Sequence, residues 1–319
     1  MEIRESVHQK RLEVQWEIMD LIISLKQRSP IDFESSYERQ GYYLFLPAIL
    51  LIGFLFVGLF VLLRYSFLTY DPLEFLIYSY TTENWQRFIE TQAVHSIFQR
   101  TLSYSIITTV LTVGLAIPYA YIIIRTDRKV FQYLLMVALF VPFFTGPIIR
   151  AYGWLIVMGQ NGIVNWLLNT FGSNPVDLIG SDLAVIIGLV HHMFAYAVLM
   201  LSPAIANINQ DLERAASNLG ANRWETFRYV ILPLAKPGLT SATVVVFSIT
   251  MVTFAIPQLL GAGSKDVVSN RIFTKLFADG NYPFAAVLSL VLLLLTSVFV
   301  VIIFRLYGMG QLSFDQEAA

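Results

Sequence analysis

An all-α, polytopic membrane protein with six spanning helices is expected from this chain, on three grounds. Composition is the first: 56% of the 319 residues are hydrophobic and 13% charged, against roughly 45–50% and about 25% in soluble domains. Too little charge is present to cover a soluble body of this length. Second, six apolar runs at 43–63, 102–124, 133–154, 183–206, 240–262 and 284–304 reach the roughly 20 residues needed to cross about 30 Å of hydrocarbon. They should be helices, because lipid offers no partner to an open backbone N–H or C=O. Third, with the N-terminus inside, the inner segments carry 14 Lys and Arg and the outer ones six, with Arg150 near the outer end of the third span. That asymmetry predicts both termini on the cytoplasmic side of a plasma membrane.

Residues 1–42 form a mostly polar N-terminal tail, unlike a cleavable signal peptide. Val14, Ile18, Leu21, Ile22 and Leu25 recur at helical spacing among basic residues, as in an amphipathic helix on the inner membrane face; a solvated helix reads equally well. Pro30 ends it. Residues 43–305 are the membrane domain and 306–319 a short C-terminal tail. Pro118, Pro142, Pro147, Pro203 and Pro257 fall within spans, where proline marks kinks or broken helices. A net charge of −1 implies no nucleic-acid partner, and the absence of cysteine excludes disulfides and thiolate metal sites. The run GAGSK at 261–265 lacks the glycine spacing of a phosphate-binding loop and reads as an outer turn. His191 and His192 are neighbours about 100° apart on a helix, so packing suits them better than one shared metal. No constellation for nucleophilic or acid–base catalysis is found.

The most informative stretch is the polar loop 207–239, above all 211–233, DLERAASNLGANRWETFRYVILP. Leu212, Ala215, Ala216 and Leu219 fall at i, i+3, i+4 and i+7, one face of a short helix. Gly220 sits where helices end in a left-handed residue. Asn222 with Glu225 three residues on predicts a capping box opening a second helix. That helix has the stripe Phe227, Val230 and Ile231, followed by Pro233. The two alanines allow close approach of another protein surface.

This loop resembles the EAA loop of permease subunits of bacterial ABC importers. Ala215, Ala216, Gly220, Ile231, Leu232 and Pro233 match it, and Ala221 follows its glycine; Arg214 stands where glutamate is usual, with Glu213 one residue early. Residues 141–168 are similar to the third span and following segment of polyamine-type permeases, matching at Pro142, Phe143, Arg150, Tyr152, Trp154, Gly162 and Asn165. FAIPQLLG at 254–261 resembles their Pro-x-Leu-Leu-Gly element, and NYPFAAVLS at 281–289 the entry to their sixth span, with Tyr282 replacing tryptophan. Where these permeases often carry an aspartate, Thr253 is nearest.

The resemblance implies the type I ABC importer permease fold and a translocation path for a small organic solute, a polyamine or an amino-acid- or opine-like compound. It implies a second permease chain, two separate ATP-binding cassette subunits that bind and hydrolyse the ATP, and an extracytoplasmic solute-binding protein. No cofactor is expected on this chain. Glu213, Arg214, Ala215, Ala216, Leu219, Gly220, Ala221 and Pro233 are the expected ATPase-coupling residues, with Arg214 meeting an acid on the ATPase and Glu213 capping or solvated. Arg150, Tyr152, Trp154, Thr253 and Pro257 are the pathway or gate candidates. Arg150 either snorkels to outer headgroups or braces the outer gate. No Asp or Glu lies inside a predicted span, so uncharged, zwitterionic or anionic organic solutes stay open; a permease for another solute class, ferric ion, anionic or sugar-like, is an alternative reading. A secondary transporter is the alternative class, but neither a repeat nor a midplane acid is visible.

Overall fold

The computed structural model describes residues 33–73 and 76–307, with residues 33–44 described by their backbone alone. The expected tail helix at 5–28 and most of the C-terminal tail lie outside them. The chain divides into a unit ending at Val61 and a unit beginning at Leu62. Helix α1, Phe33–Ser66, supplies the first apart from its last turn and contains Pro47.

The second unit opens with a two-stranded antiparallel hairpin, β1 (Leu68–Thr69) with β2 (Ile77–Tyr80), pairing Leu68 with Tyr80. Short helix α2, Glu83–Glu90, is pinned by the buried Asn84, whose amide donates to the carbonyls of Ser66 and Leu68 at 3.2 and 2.8 Å. The long helix α3, Gln92–Arg125, follows. Next come α4 (Lys129–Phe144), α5 (Pro147–Met158), α6 (Ile163–Thr170) and α7 (Asp182–Ala206). The polar loop forms α8 (Gln210–Asn218) and α9 (Arg223–Leu234). Then α10 (Lys236–Val252), α11 (Ala255–Leu260), α12 (Val268–Phe273) and α13 (Tyr282–Leu306) complete the fold.

Four helices are long and apolar enough to cross a membrane alone: Phe45–Ser66, Gln92–Arg125, Asp182–Ala206 and Tyr282–Leu306. Two bent pairs raise the number to six among the described residues. The expected third span at 133–154, marked by its prolines as kinked or broken, is α4 followed by the α5–α6 segment at 106°. Pro142 and Pro147 flank this turn, each unable to donate a backbone hydrogen bond. The expected fifth span at 240–262 breaks at Thr253–Phe254, between α10 and α11. At its other end, at Ala235, α10 joins α9 through a 71° bend.

Helices α3, α7 and α10 pack on one another around Ala116 and Ala120, Ala197 and Leu201, and Ala242 and Val246, all of them buried. Small residues let membrane helices approach closely, which matters where lipid removes the hydrophobic drive between them. At Gly238 a Cβ would strike Ala204, so α10 crosses α7 with no room for any side chain there. A second cluster joins α3, α10 and α13 through Phe98, Phe247, Met251, Phe284 and Leu288. A third, around Tyr104, Ala151, Val185, Leu189 and Leu260, lies at the opposite end from α8.

Candidate functional site

Helix α8 begins because the Asn209 side chain accepts the Asp211 N–H at 2.9 Å, satisfying one of the open first-turn donors. It ends at Gly220, φ +92°, a conformation that strains any residue with a Cβ. The Ala221 N–H reaches back to the Ala216 carbonyl at 3.0 Å and closes the turn. Asn222 and Glu225 form the expected reciprocal box, at 2.9 and 2.7 Å. Helix α9 widens into a π turn over Phe227–Ile231 and continues through Pro233, instead of ending before it.

The stripe predicted on α8 faces away from the bundle. Leu212 is 47% and Leu219 90% exposed, Ala215 is exposed and Ala216 half-buried. Arg214 is exposed as well and, among the described residues, pairs along its own helix with Asp211 at 2.9 Å. Such surface pairs contribute little.

Glu213 corrects the expectation, for it neither caps nor is solvated. It turns inward, with Oε1 2.7 Å from Arg125 Nε, and both side chains are more than four-fifths buried. The approach lies off the N–H axis, so this is an ion pair without an aligned hydrogen bond. The Tyr121 hydroxyl donates to Oε2 at 2.8 Å. Arg125 also donates through Nη2 to the carbonyls of Ile208 at 2.7 Å and Ile205 at 3.3 Å, where α7 ends. One guanidinium therefore joins the end of α3, the end of α7 and α8. A cavity of about 450 Å³ opens beside this joint, lined by Tyr121, Arg125, Glu213, Ser217, Arg223 and Thr226 among others. The Tyr121 ring meets Phe227 edge-on at 5.5 Å, tying α9 to the same place. Arg125 and Glu213 are 88 positions apart in sequence, so no local pattern joins them; the one available signal was a cation closing an apolar span.

At the other end Arg150, only 7% exposed, does not snorkel. Its Nη2 donates to the carbonyl of Pro142, which also accepts from Thr145, and at 2.6 Å to the carbonyl of Thr145, which the α4–α5 break leaves open. Its Nη1 reaches the Nδ1 and carbonyl oxygen of His192 on α7, at 2.8 and 3.2 Å. Trp154 donates from Nε1 to His191 Nδ1 at 3.1 Å, so both histidines serve packing. Tyr152 is 55% exposed and joins none of this. Thr253 lies in the second break, its hydroxyl donating back to Ile249 at 2.7 Å, and Pro257 is buried in α11. Two residues outside the expected set hold that break. Ser269 donates to the Thr253 carbonyl at 2.8 Å, and buried Asn270 donates to Phe254 at 3.2 Å and to Gln258 at 2.8 Å. The glycine-rich turn after α11 has positive φ at Ala262 and Gly263, and the Ser264 hydroxyl ties it to Gly180 at 3.1 Å. Asp182, first residue of α7, accepts from Tyr104 and pairs with Lys265 at 3.0 Å. The described residues hold no group of three or more His, Cys, Asp or Glu able to bind a metal.

The chain is similar to known proteins. The chain is 31% identical over 257 residues to the spermidine/putrescine transport system permease protein PotB of Haemophilus influenzae, covering 80% of this chain and 89% of that one. It is 27% identical over 277 residues to the inner membrane ABC transporter permease protein YdcU of Escherichia coli, covering 82% and 88%. Among solved structures, a subunit of a bacterial ABC transporter involved in the import of the acidic polysaccharide alginate superposes with a TM-score of 0.74 at 18% identity, over 89% of this chain and all of that one. A chain of the MetNI methionine ABC transporter superposes at 0.53 and 15% identity, over 68% and 97%. At these identities the structures establish the shared fold, that of type I ABC importer permeases. A family model for the binding-protein-dependent transport system inner membrane component matches residues 93–309, and the chain, a permease subunit of an ABC importer, belongs to that family.

Proposed function

We propose that this chain lines the translocation path for a small cationic organic solute of the polyamine type, and that α8 docks on a separate ATPase subunit. The carrying observation is the exposed apolar stripe of α8, with Leu219 left 90% bare on a helix otherwise capped at both ends. Covering a leucine contributes about 1.5–3 kcal/mol. Arg214, exposed on the same helix, is open to an acidic residue of the partner. The ATP is bound and hydrolysed by that partner, and this chain needs no cofactor of its own. A second permease chain and an extracytoplasmic solute-binding protein complete the importer, with both termini of this chain cytoplasmic.

Alternating access then follows from the joints at the ends of α8 and α9. Closure of the ATPases on ATP carries α8, and α7 and α10 tilt with it. ATP must favour the open-outward state by several kcal/mol to shift the population substantially. Ala216→Glu tests docking, since it forces a charge into the close contact. The expected result is normal insertion with lost ATPase co-purification; unchanged co-purification and transport would remove α8 from the interface. Orientation is tested by single cysteines at Ser217 and Lys265 in this cysteine-free chain, which should label from opposite sides.

Support for a polyamine solute comes from the names of the relatives. A solute of another charge is favoured by the described spans, where between Gln92 and Leu306 the carboxylates within spanning helices are Asp182, first residue of α7, and Glu225, in the first turn of α9, neither of them midway along a span. Uptake of labelled putrescine into vesicles bearing the reconstituted importer, set against an anionic and an uncharged solute, decides between the two.

A further inference from the structure

We propose that Arg125 is a positioning residue for transport, the joint through which movement of α8 reaches α3 and α7 together. This rests on the docking role proposed above for α8. Three observations carry it. Arg125 ends α3, ion-pairs with Glu213 on α8 and donates to two carbonyls where α7 ends. Tyr121, one turn earlier on α3, holds the same carboxylate at 2.8 Å, so Glu213 is gripped twice by one helix. Beyond the Gly220 turn, α9 touches Tyr121 through Phe227, which returns the loop to the same helix.

A helix docked by its outer face alone is free to roll or slide against the bundle. The inward pair removes that freedom. Glu213 lies about 100° around α8 from Arg214, so the two charges serve different faces of one helix. Arg214, with Leu212 and Leu219, faces outward, while Glu213 faces the body. The cavity beside the pair leaves room for α8 to swing once the pair is broken, so losing it should uncouple α8 without unfolding the bundle, whose core begins at Ile123 and Ile205 beside the pair and continues along α3, α7 and α10 through Ala116, Ala197 and Val246.

The test uses the assembled importer with Glu213→Gln, Arg125→Gln and the exchange Arg125→Glu with Glu213→Arg. Three quantities are read: co-purification of the ATPase, ATP hydrolysis, and solute moved per ATP. Each single variant is expected to retain the ATPase and its hydrolysis while solute moved per ATP falls at least tenfold, and the exchange should recover a large part of that loss. Unchanged transport per ATP in Glu213→Gln would overturn the joint and leave docking intact. Loss of the ATPase from Glu213→Gln would overturn it as well, by placing Glu213 in the interface. Failure of the exchange, with both singles assembled and uncoupled, would show that the residues act separately and not as a pair.

Discussion

Arg125 and Arg150 are both largely buried at the ends of apolar segments, yet they are held in opposite ways. Among the described residues Arg150 has no carboxylate partner: its acceptors are the carbonyls of Pro142, Thr145 and His192 and a ring nitrogen. Those acceptors belong to the backbone around a 106° break and to the helix beside it. Arg125 has a carboxylate on a separate short helix, plus two carbonyls at the end of a third. A guanidinium that satisfies a break within a span makes a rigid corner. One that pairs with a mobile element makes a connection that can be loaded. The lesson is that a cation in a membrane helix is read from its acceptors, whereas its depth or its rarity alone does not reveal its task.

The largest effect should come from Arg150→Ala. Each charge-assisted hydrogen bond lost there is worth about 1.5–3 kcal/mol, and the Thr145 carbonyl is left without its donor. The expected outcome is a chain that fails to accumulate folded in the membrane, measured by its yield in detergent and its thermal inactivation. Arg150→Lys should recover only part, because a single ammonium cannot span the same set of acceptors. Wild-type stability in Arg150→Ala would make the corner self-supporting and erase the contrast with Arg125.

Arg125→Gln should cost the fold less, since the cavity admits water to the Glu213 left behind. Inactivation temperature close to wild type is expected, against the steep fall for Arg150→Ala. Asn270→Ala sharpens the comparison from the other side. It removes a neutral staple of the second break, including the bond to Phe254, and should cost about 1–3 kcal/mol. A loss as large as that of Arg150→Ala would mean that charge contributes nothing special to a break.

Gly220→Ala should have the smallest effect. The site has open space around it, so the penalty is backbone strain at φ +92° of about 1 kcal/mol. Assembly should survive with a modest drop in the stability of the complex. A severe loss would mean that the turn, and not the pair at Glu213, sets the angle of α8.

What could be read in advance follows the range of the forces involved. The end of α8 at the left-handed Gly220 and the Asn222–Glu225 box that opens α9 are local, and both stand where spacing put them. Prolines marked the third span as suspect, but the break at Thr145–Gly146 depends on Arg150 crossing to the freed carbonyl. Hydropathy cannot register that, because a broken and a straight span have the same composition. The fifth span broke at Thr253–Phe254, with its staples coming from Ser269 and Asn270 after the turn. Glu213 was misread for a similar reason. Its neighbours on α8 point outward, and only the folded bundle brings Arg125 and Tyr121 behind it.

The central claim is that one side of α8 is built for another protein and the other side for this one. Labelling of Leu219→Cys, in a chain that has no other cysteine, tests it most directly. The account predicts rapid modification in the chain alone and strong protection once the ATPase subunit is bound, with transport retained in the unlabelled complex. Equal labelling with and without the ATPase, in a complex shown to be assembled, would contradict it.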